Sequence, residues 1–257
     1  MQSEWGHFLG AMTLTLVRIS GIVMFAPFFS SNALPIRTKA VFVLTTSYLL
    51  APLVAVLPNA QAGINYSALI GELAVGLVFG LSLSLITELL LFAGQIVGLQ
   101  FSFSLVNLMD PGTSIQTPLL SELFQLMGTL LLLATGFDRL VLASLVRSFR
   151  AAPLGSFILP KATGSALLEV AGGIFLSALQ LTAPVLTATL LVEVAGALLG
   201  RLSPQLPVMS FTVPLKTLTG FALLAGSMAA WPRFLEARFN GLLNLAEKLL
   251  SAHVAGG

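Results

Sequence analysis

The chain has 257 residues, of which 12 are Lys or Arg and 10 are Asp or Glu, so 9% of its side chains are charged, against about 25% in an ordinary soluble domain. With 56% hydrophobic residues and a mean hydropathy of +0.98, most of its surface needs lipid or another apolar protein as its solvent, and a soluble fold is excluded. Cysteine is absent, which removes disulfides, thiolate metal sites and cysteine nucleophiles together, and a net charge of +2 spread over scattered residues offers no cationic stripe for nucleic acid.

In chain order, apolar helical segments are predicted at 8–29, 40–57, 68–109, 119–136, 166–200 and 208–230. Residues 1–7 carry Glu4 and neither Lys nor Arg, so the first segment lacks the positive leader of a cleavable signal peptide and is read as retained. Residues 89–94 and 130–134 have no polar side chain, which suits helices buried all round and not the alternating strands of a barrel. The fold class is therefore an all-α polytopic membrane protein. Connectors are marked by Asn32 to Pro35 with Arg37 and Lys39, Pro58 to Gly63, Asp110-Pro-Gly112, Pro153-Leu-Gly155 and Ser203 to Pro207. After Trp231-Pro232 the tail mixes Leu and Phe with Arg238, Glu247 and Lys248. It reads either as an amphipathic helix on a membrane or partner, or as a solvated terminal helix.

Two segments are too long for a simple crossing. Residues 68–109 number 42, about 63 Å as a straight helix against a hydrocarbon thickness of about 30 Å. A hairpin is expected, breaking near Glu88 to Gly98, where a charge, Gly94, Gln95 and Gly98 come together. Residues 166–200 number 35 and carry Pro184, which removes a helical donor and kinks the chain. With the hairpin, Arg37, Lys39, Arg139, Arg147, Arg150 and Lys161 all fall on the cytoplasmic side; with one span they do not.

Ionisable groups stand in or beside the apolar segments at Arg18, Glu72, Glu88, Glu169, Glu193 and Lys216. A charge at a lipid-exposed helix centre costs about 2.5 to 3.5 kcal/mol on insertion scales, so most must face protein or water. Proton or ion handling is one reading; pairing with groups on neighbouring helices is the one favoured for any single residue. Three small-residue motifs, Gly76-x-x-x-Gly80, Gly94-x-x-x-Gly98 and Gly196-x-x-x-Gly200, predict close helix contacts. Catalysis lacks raw material: His7 and His253 are terminal, none of the lysines follows a phosphate-binding glycine run, and no enzyme activity, metal or cofactor is expected. Glu72 and Glu88 are too far apart on one helix to act as a carboxylate pair unless a hairpin joins them.

At three stretches the chain resembles the FliR family of flagellar type III export-gate proteins, and the resemblance covers nearly all of it. Arg18-Ile-Ser-Gly21, Ala26-Pro27, Leu34-Pro35 and Arg37-x-Lys39 are similar to the family's opening segment with its proline-bounded basic loop. Gly94-x-x-x-Gly98-x-Gln100, then Val106 to Gly112 and Pro118, then Gly136 and Pro153-Leu-Gly155-Ser156, are similar to its centre. Gly200-Arg-Leu-Ser-Pro204-Gln205-Leu-Pro207, Pro214-Leu-Lys216 and Gly220 are similar to its C-terminal signature. One departure is Asp138-Arg139 after Gly136, where many relatives carry a histidine.

The resemblance implies a non-enzymatic part of a protein-conducting channel, in which one FliR-type subunit joins FliP and FliQ with FlhB at the cytoplasmic base. The location implied is the bacterial inner membrane, in the flagellar basal body, with exported flagellar proteins as transient substrates. Residues 1–160 would be FliP-like, 161–235 a FliQ-like helical hairpin and 236–257 an amphipathic tail. Asn107, Leu108, Met109, Asp110, Pro111, Gly112, Thr113, Ser114, Ile115 and Gln116 would form the family's plug, and Arg201, Pro204, Gln205 and Pro207 a turn facing FlhB. Arg18, Glu72, Glu88, Gly94, Gly98, Gln100, Glu193 and Lys216 would serve intramembrane packing or polar contacts. A virulence-type export gate is the nearest alternative. A secondary transporter would need two related halves, and no convincing internal repeat is present.

Overall fold

The computed structural model describes residues 2–26, 29, 34–58, 60–61, 63–101, 119–156, 162–203, 205 and 207–251. Among these every regular element is helical: α1 (Gln2–Phe25), α2 (Ile36–Ala55), α3 (Tyr66–Gln100), α4 (Leu119–Ala134), α5 (Phe137–Ala151), α6 (Ala162–Leu202), α7 (Val208–Ser227), a 3-10 turn (Met228–Ala230) and α8 (Trp231–Ser251). Five stretches are long and apolar enough to cross a membrane: Trp5–Phe25, Ile36–Ala55, Tyr66–Gln100, Leu168–Leu202 and Ser210–Leu250. Leu119–Ala134 and Arg139–Ala151 make a sixth if they count as one broken span. The chain is an all-α polytopic membrane protein.

The helices close into two compact units that are not consecutive in sequence, 1–86 with 136–171 and 237–257, and 87–135 with 172–236. In the first unit α1 packs along α2, and Phe8 meets Tyr48 edge-on at 5.9 Å. Its core includes Leu14, Ile19, Ile22, Phe79, Leu83 and Phe149. Ser47 folds its hydroxyl back onto the Val43 carbonyl and Ser82 onto that of Val78, so these two buried hydroxyls need no outside partner. In the second unit Phe124 stacks on Trp231 at 4.8 Å and Phe101 on Phe221 at 4.7 Å.

Two expectations are corrected. The hairpin expected within 68–109 does not form: α3 continues unbroken through Glu88, Gly94, Gln95 and Gly98. No proline removes a donor there, and the glycines serve as contact points for a neighbouring helix, so the ladder has no reason to open. The membrane orientation that depended on that hairpin loses its basis. α6 runs 41 residues with Pro184 in its interior. Arg37 and Lys39 lie in the first turn of α2, after Pro35 at its N-cap, and not in a loop. One element was not foreseen: α5, read from sequence as a connector, is a 15-residue amphipathic helix.

Candidate functional site

The most elaborate polar arrangement lies inside the first unit, on α1 and α3. Glu72, Gly76 and Gly80 recur every four residues and so line one face of α3. That face meets Arg18, Gly21 and Phe25 of α1. A Cβ on Gly21 would stand 3.0 Å from the Gly76 carbonyl carbon, and one on Gly80 would stand 2.7 Å from the Gly21 carbonyl oxygen. Only glycine allows backbones this close, which is the packing that a small-x-x-x-small motif provides in place of a hydrophobic driving force.

The close approach brings two fully buried charges together one turn away. Both side chains are 0% exposed. Arg18 Nε donates to Glu72 Oε2 at 2.5 Å and Nη2 to Oε1 at 2.9 Å, the two-pronged geometry that suits guanidinium and carboxylate. Arg18 Nη1 donates to the carbonyl of Ser148 at 3.0 Å, which also accepts the Ala152 N–H, and to that of Ala152 at 2.8 Å, so the same cation meets the C-terminal end of α5, where the negative end of the helix dipole favours it. Its plane lies 4.4 Å from the Phe149 ring centroid. Glu72 Oε1 also accepts the Gly155 N–H at 2.7 Å. Gly155 has φ +71° and abuts the Gln61 carbonyl, while the Gln61 N–H donates to the Leu154 carbonyl at 2.7 Å. One buried ion pair thus ties α1, α3, the end of α5 and two loops. The sequence flagged Arg18, Glu72 and the Pro153 to Ser156 motif separately. No spacing rule could have joined residues so far apart in the chain, and the Ser148 and Ala152 carbonyls carry no sequence signal at all.

The second unit holds a different arrangement. α6 and α7 form an antiparallel hairpin whose register is read from three contacts: Gly200 faces Val208, Gly196 faces Thr212, and the Glu193 carboxylate accepts a hydrogen bond from Lys216 Nζ. Lys216 is 11% exposed and Glu193 46%, so this pair sits at the rim of the hairpin. In the turn, the Ser203 N–H donates to the Leu199 carbonyl at 2.9 Å and the Ser210 N–H to that of Pro207 at 3.0 Å. Arg201 and Gln205 are exposed and Pro207 is the N-cap of α7; Pro204 lies outside the described residues.

The other predicted residues fall apart from these pairs. Gly94 packs on the Leu120 and Ser121 backbone of α4, a Cβ on Gly98 would stand 3.9 Å from the Leu120 side chain, and Gly128 of α4 receives Leu90, so α3 and α4 pack antiparallel on either side of residues 102–118. Gln100 is half-buried near the end of α3, whereas Glu88 and Glu169 are exposed. Asn107 to Gln116, the plug-like segment, lie outside the described residues. No group of three or more His, Asp or Glu side chains able to hold a metal occurs among the described residues.

Comparison with known proteins accounts for this combination. The family of bacterial export proteins, family 1, matches residues 9–242. The flagellar biosynthetic protein FliR of Escherichia coli (strain K12) is 26% identical over 251 residues, covering 96% of this chain and 95% of the relative. That of Caulobacter vibrioides is 27% identical over 236 residues, with 90% and 94% covered, and that of Bacillus subtilis (strain 168) 26% over 223 residues, with 85% and 86% covered. Matched along nearly all of its length, the chain belongs to the bacterial export proteins, family 1, and is a component of the flagellar export apparatus.

Proposed function

We propose that this chain is the FliR-type subunit of the flagellar export gate, assembling with FliP and FliQ into a helical, cone-like channel with FlhB at its cytoplasmic base. It works in the bacterial inner membrane within the flagellar basal body, and unfolded flagellar proteins pass through the pore it helps to line. The carrying observation is the family match from end to end, and the lengths of two helices support it. α3 has 35 residues and α6 has 41, or about 52 and 62 Å at 1.5 Å per residue, well beyond a hydrocarbon layer of about 30 Å. Tilt absorbs part of such an excess; the rest needs protein around it. Large apolar side chains left exposed on α6 and α7, among them Leu191, Leu198, Phe211 and Leu218, fit cover by neighbouring subunits.

In this reading residues 1–160 act as a FliP-like protomer, 161–235 as a FliQ-like hairpin and 236–257 as a tail. This division concerns likeness to the partner subunits and not compactness. The antiparallel α6–α7 hairpin supports the FliQ-like part, and the turn with Arg201, Pro204, Gln205 and Pro207 is its FlhB-facing end. Asn107 to Gln116 form the plug, carried between the ends of α3 and α4. Asp110-Pro-Gly112 is a helix-breaking sequence, and Met109 and Ile115 are side chains suited to sealing against apolar neighbours. The subunit's role is structural and gating, without a covalent step or cofactor; transport is driven by the proton-motive force and other export components.

The test is co-expression of the tagged chain with FliP and FliQ from the same organism, followed by detergent purification, mass measurement and particle imaging. One large complex with a single copy of this chain is expected. A monodisperse protein that ignores both partners would overturn the assignment. Within the complex, deleting residues 110–116 is expected to leave assembly intact and make the gate leak small ions; an unchanged leak counts against the plug.

A further inference from the structure

A cleft of about 580 Å³ opens between α5 and α8, lined by Arg147, Arg150, Ala151, Asn244, Glu247 and Lys248. It lies wholly within the first unit. Phe137 meets Phe239 at 4.2 Å between ring centroids, and Arg147 Nη1 meets Glu247 Oε1 at 3.6 Å. Both pairs advance toward the C-terminus together, so the two helices run parallel and end side by side. Each carries a cation in its last turn, Arg150 on α5 and Lys248 on α8.

Cations at a helix C-terminus are ordinarily consumed by the last carbonyls. At α5 that work is done from the inside by Arg18, which takes the Ser148 and Ala152 carbonyls. Arg147 and Arg150 are exposed and line the cleft. Arg147 is 53% exposed, and its contact with Glu247 is too long for a hydrogen bond. The lining holds the guanidinium groups of Arg147 and Arg150 and the Glu247 carboxylate, plus the Asn244 amide. One turn before Arg150 stands Val146, and one turn before that Leu142, both exposed and apolar. An apolar strip that ends in a turn of guanidinium groups matches a molecule with hydrocarbon on one side and a phosphate on the other.

We infer that this cleft binds the headgroup of an anionic phospholipid. Its phosphate diester accepts hydrogen bonds from Arg147 and Arg150, and its acyl chains run over Val146 and Leu142. Basic pockets between helices at a membrane boundary take such headgroups, and guanidinium suits phosphate geometry. The occupant is a lipid and not an acidic protein segment because the cations continue directly into exposed apolar side chains, which a lipid covers with the same molecule.

The test uses the full chain purified in neutral detergent and offered phosphatidylglycerol and phosphatidylcholine with matched acyl chains, the bound lipid being read by native mass spectrometry. Preferential retention of phosphatidylglycerol is expected. Each cation lost should weaken it about fivefold, so Arg147→Gln with Arg150→Gln should weaken it about 25-fold. Glu247→Gln removes the one opposing charge and should strengthen retention. Equal retention of both lipids, or an unchanged Arg147→Gln/Arg150→Gln variant, overturns the inference. So does displacement of the lipid by millimolar inorganic phosphate, which would make the site one for free phosphate, or a variant that keeps its lipid and loses a co-purifying protein. If the double variant does not fold, Glu247→Gln alone decides, and retention that does not rise overturns the proposal.

Discussion

Two ion pairs of this chain, Arg18–Glu72 and Glu193–Lys216, use similar chemistry to opposite ends. Arg18–Glu72 is sealed, and every donor the cation directs at protein is matched by a carboxylate or a carbonyl of the same unit. Glu193–Lys216 leaves nearly half of its carboxylate exposed on a hairpin whose other outward side chains are largely apolar. Partial desolvation of a single pair in hydrocarbon is expensive, and full desolvation is tolerable only with all hydrogen bonds made. The first pair meets that condition within its own chain. The second does not, and this difference separates a site that organises the subunit from one whose surroundings are completed by something outside it.

Breaking the sealed pair should have the largest effect. Arg18→Ala leaves the buried Glu72 carboxylate without its counter-ion and the Ala152 carbonyl without its donor, and a loss of about 3 to 5 kcal/mol is expected. Denaturation in detergent checks it, with size-exclusion chromatography of the folded fraction. The Arg18→Met/Glu72→Leu double variant should cost less than the two single changes added, because neither leaves a lone charge. Strict additivity would mean that the pair is not the unit the geometry makes it.

Next comes the glycine seam that allows the pair to form. Gly76→Val would place carbon where the Arg18 carbonyl oxygen stands, 2.5 Å from an ideal Cβ. Forcing α1 and α3 apart should cost about 1 to 3 kcal/mol as overpacking, and more if the Arg18–Glu72 bonds break with it. A distance measured by spin labels across α1 and α3 should lengthen in step. Gly155→Ala combines a φ of +71° with the nearby Gln61 carbonyl and should cost about 1 to 3 kcal/mol. Its loss would appear as faster proteolysis at the 153–156 loop before any change at the hairpin.

How much of this was open to sequence reading divides along physical lines. The apolar helices were legible because hydrocarbon demands long uninterrupted runs, and 40–57 and 119–136 fall close to α2 and α4. α5 was missed because its arginines and serines break the apolar run while keeping a buried stripe of Phe137, Val141, Leu145 and Phe149. The unbroken α3 was missed for the converse reason. Glycine and glutamine there were read as breakers, yet in a helix pressed on a neighbour a glycine is a contact surface. Arg18 and Glu72 were recognisable as buried charges from their cost alone, but their pairing is a fact of tertiary structure. The same cost argument had favoured pairing for each intramembrane charge, and the structure pairs Arg18, Glu72, Glu193 and Lys216 in this way while leaving Glu88 and Glu169 exposed.

The smallest effect on the chain itself is expected at the half-exposed pair, and there the comparison is sharpest. Glu193→Gln keeps the shape and a hydrogen-bond acceptor for Lys216, and pairs of this exposure contribute about 0 to 1 kcal/mol, so the isolated subunit should unfold as the wild type does. If the open side of Glu193 is completed by a neighbouring subunit, the same substitution should weaken recovery of the assembled gate while leaving the amount of folded subunit unchanged. Lys216→Met should weaken it further, since it leaves the carboxylate without its ion-pair partner. A hairpin variant that lowers the subunit's stability and its assembly in equal proportion would place both pairs in one class, as internal braces of the fold. Assembly lost without stability would leave Arg18–Glu72 as the brace and Glu193–Lys216 as the contact.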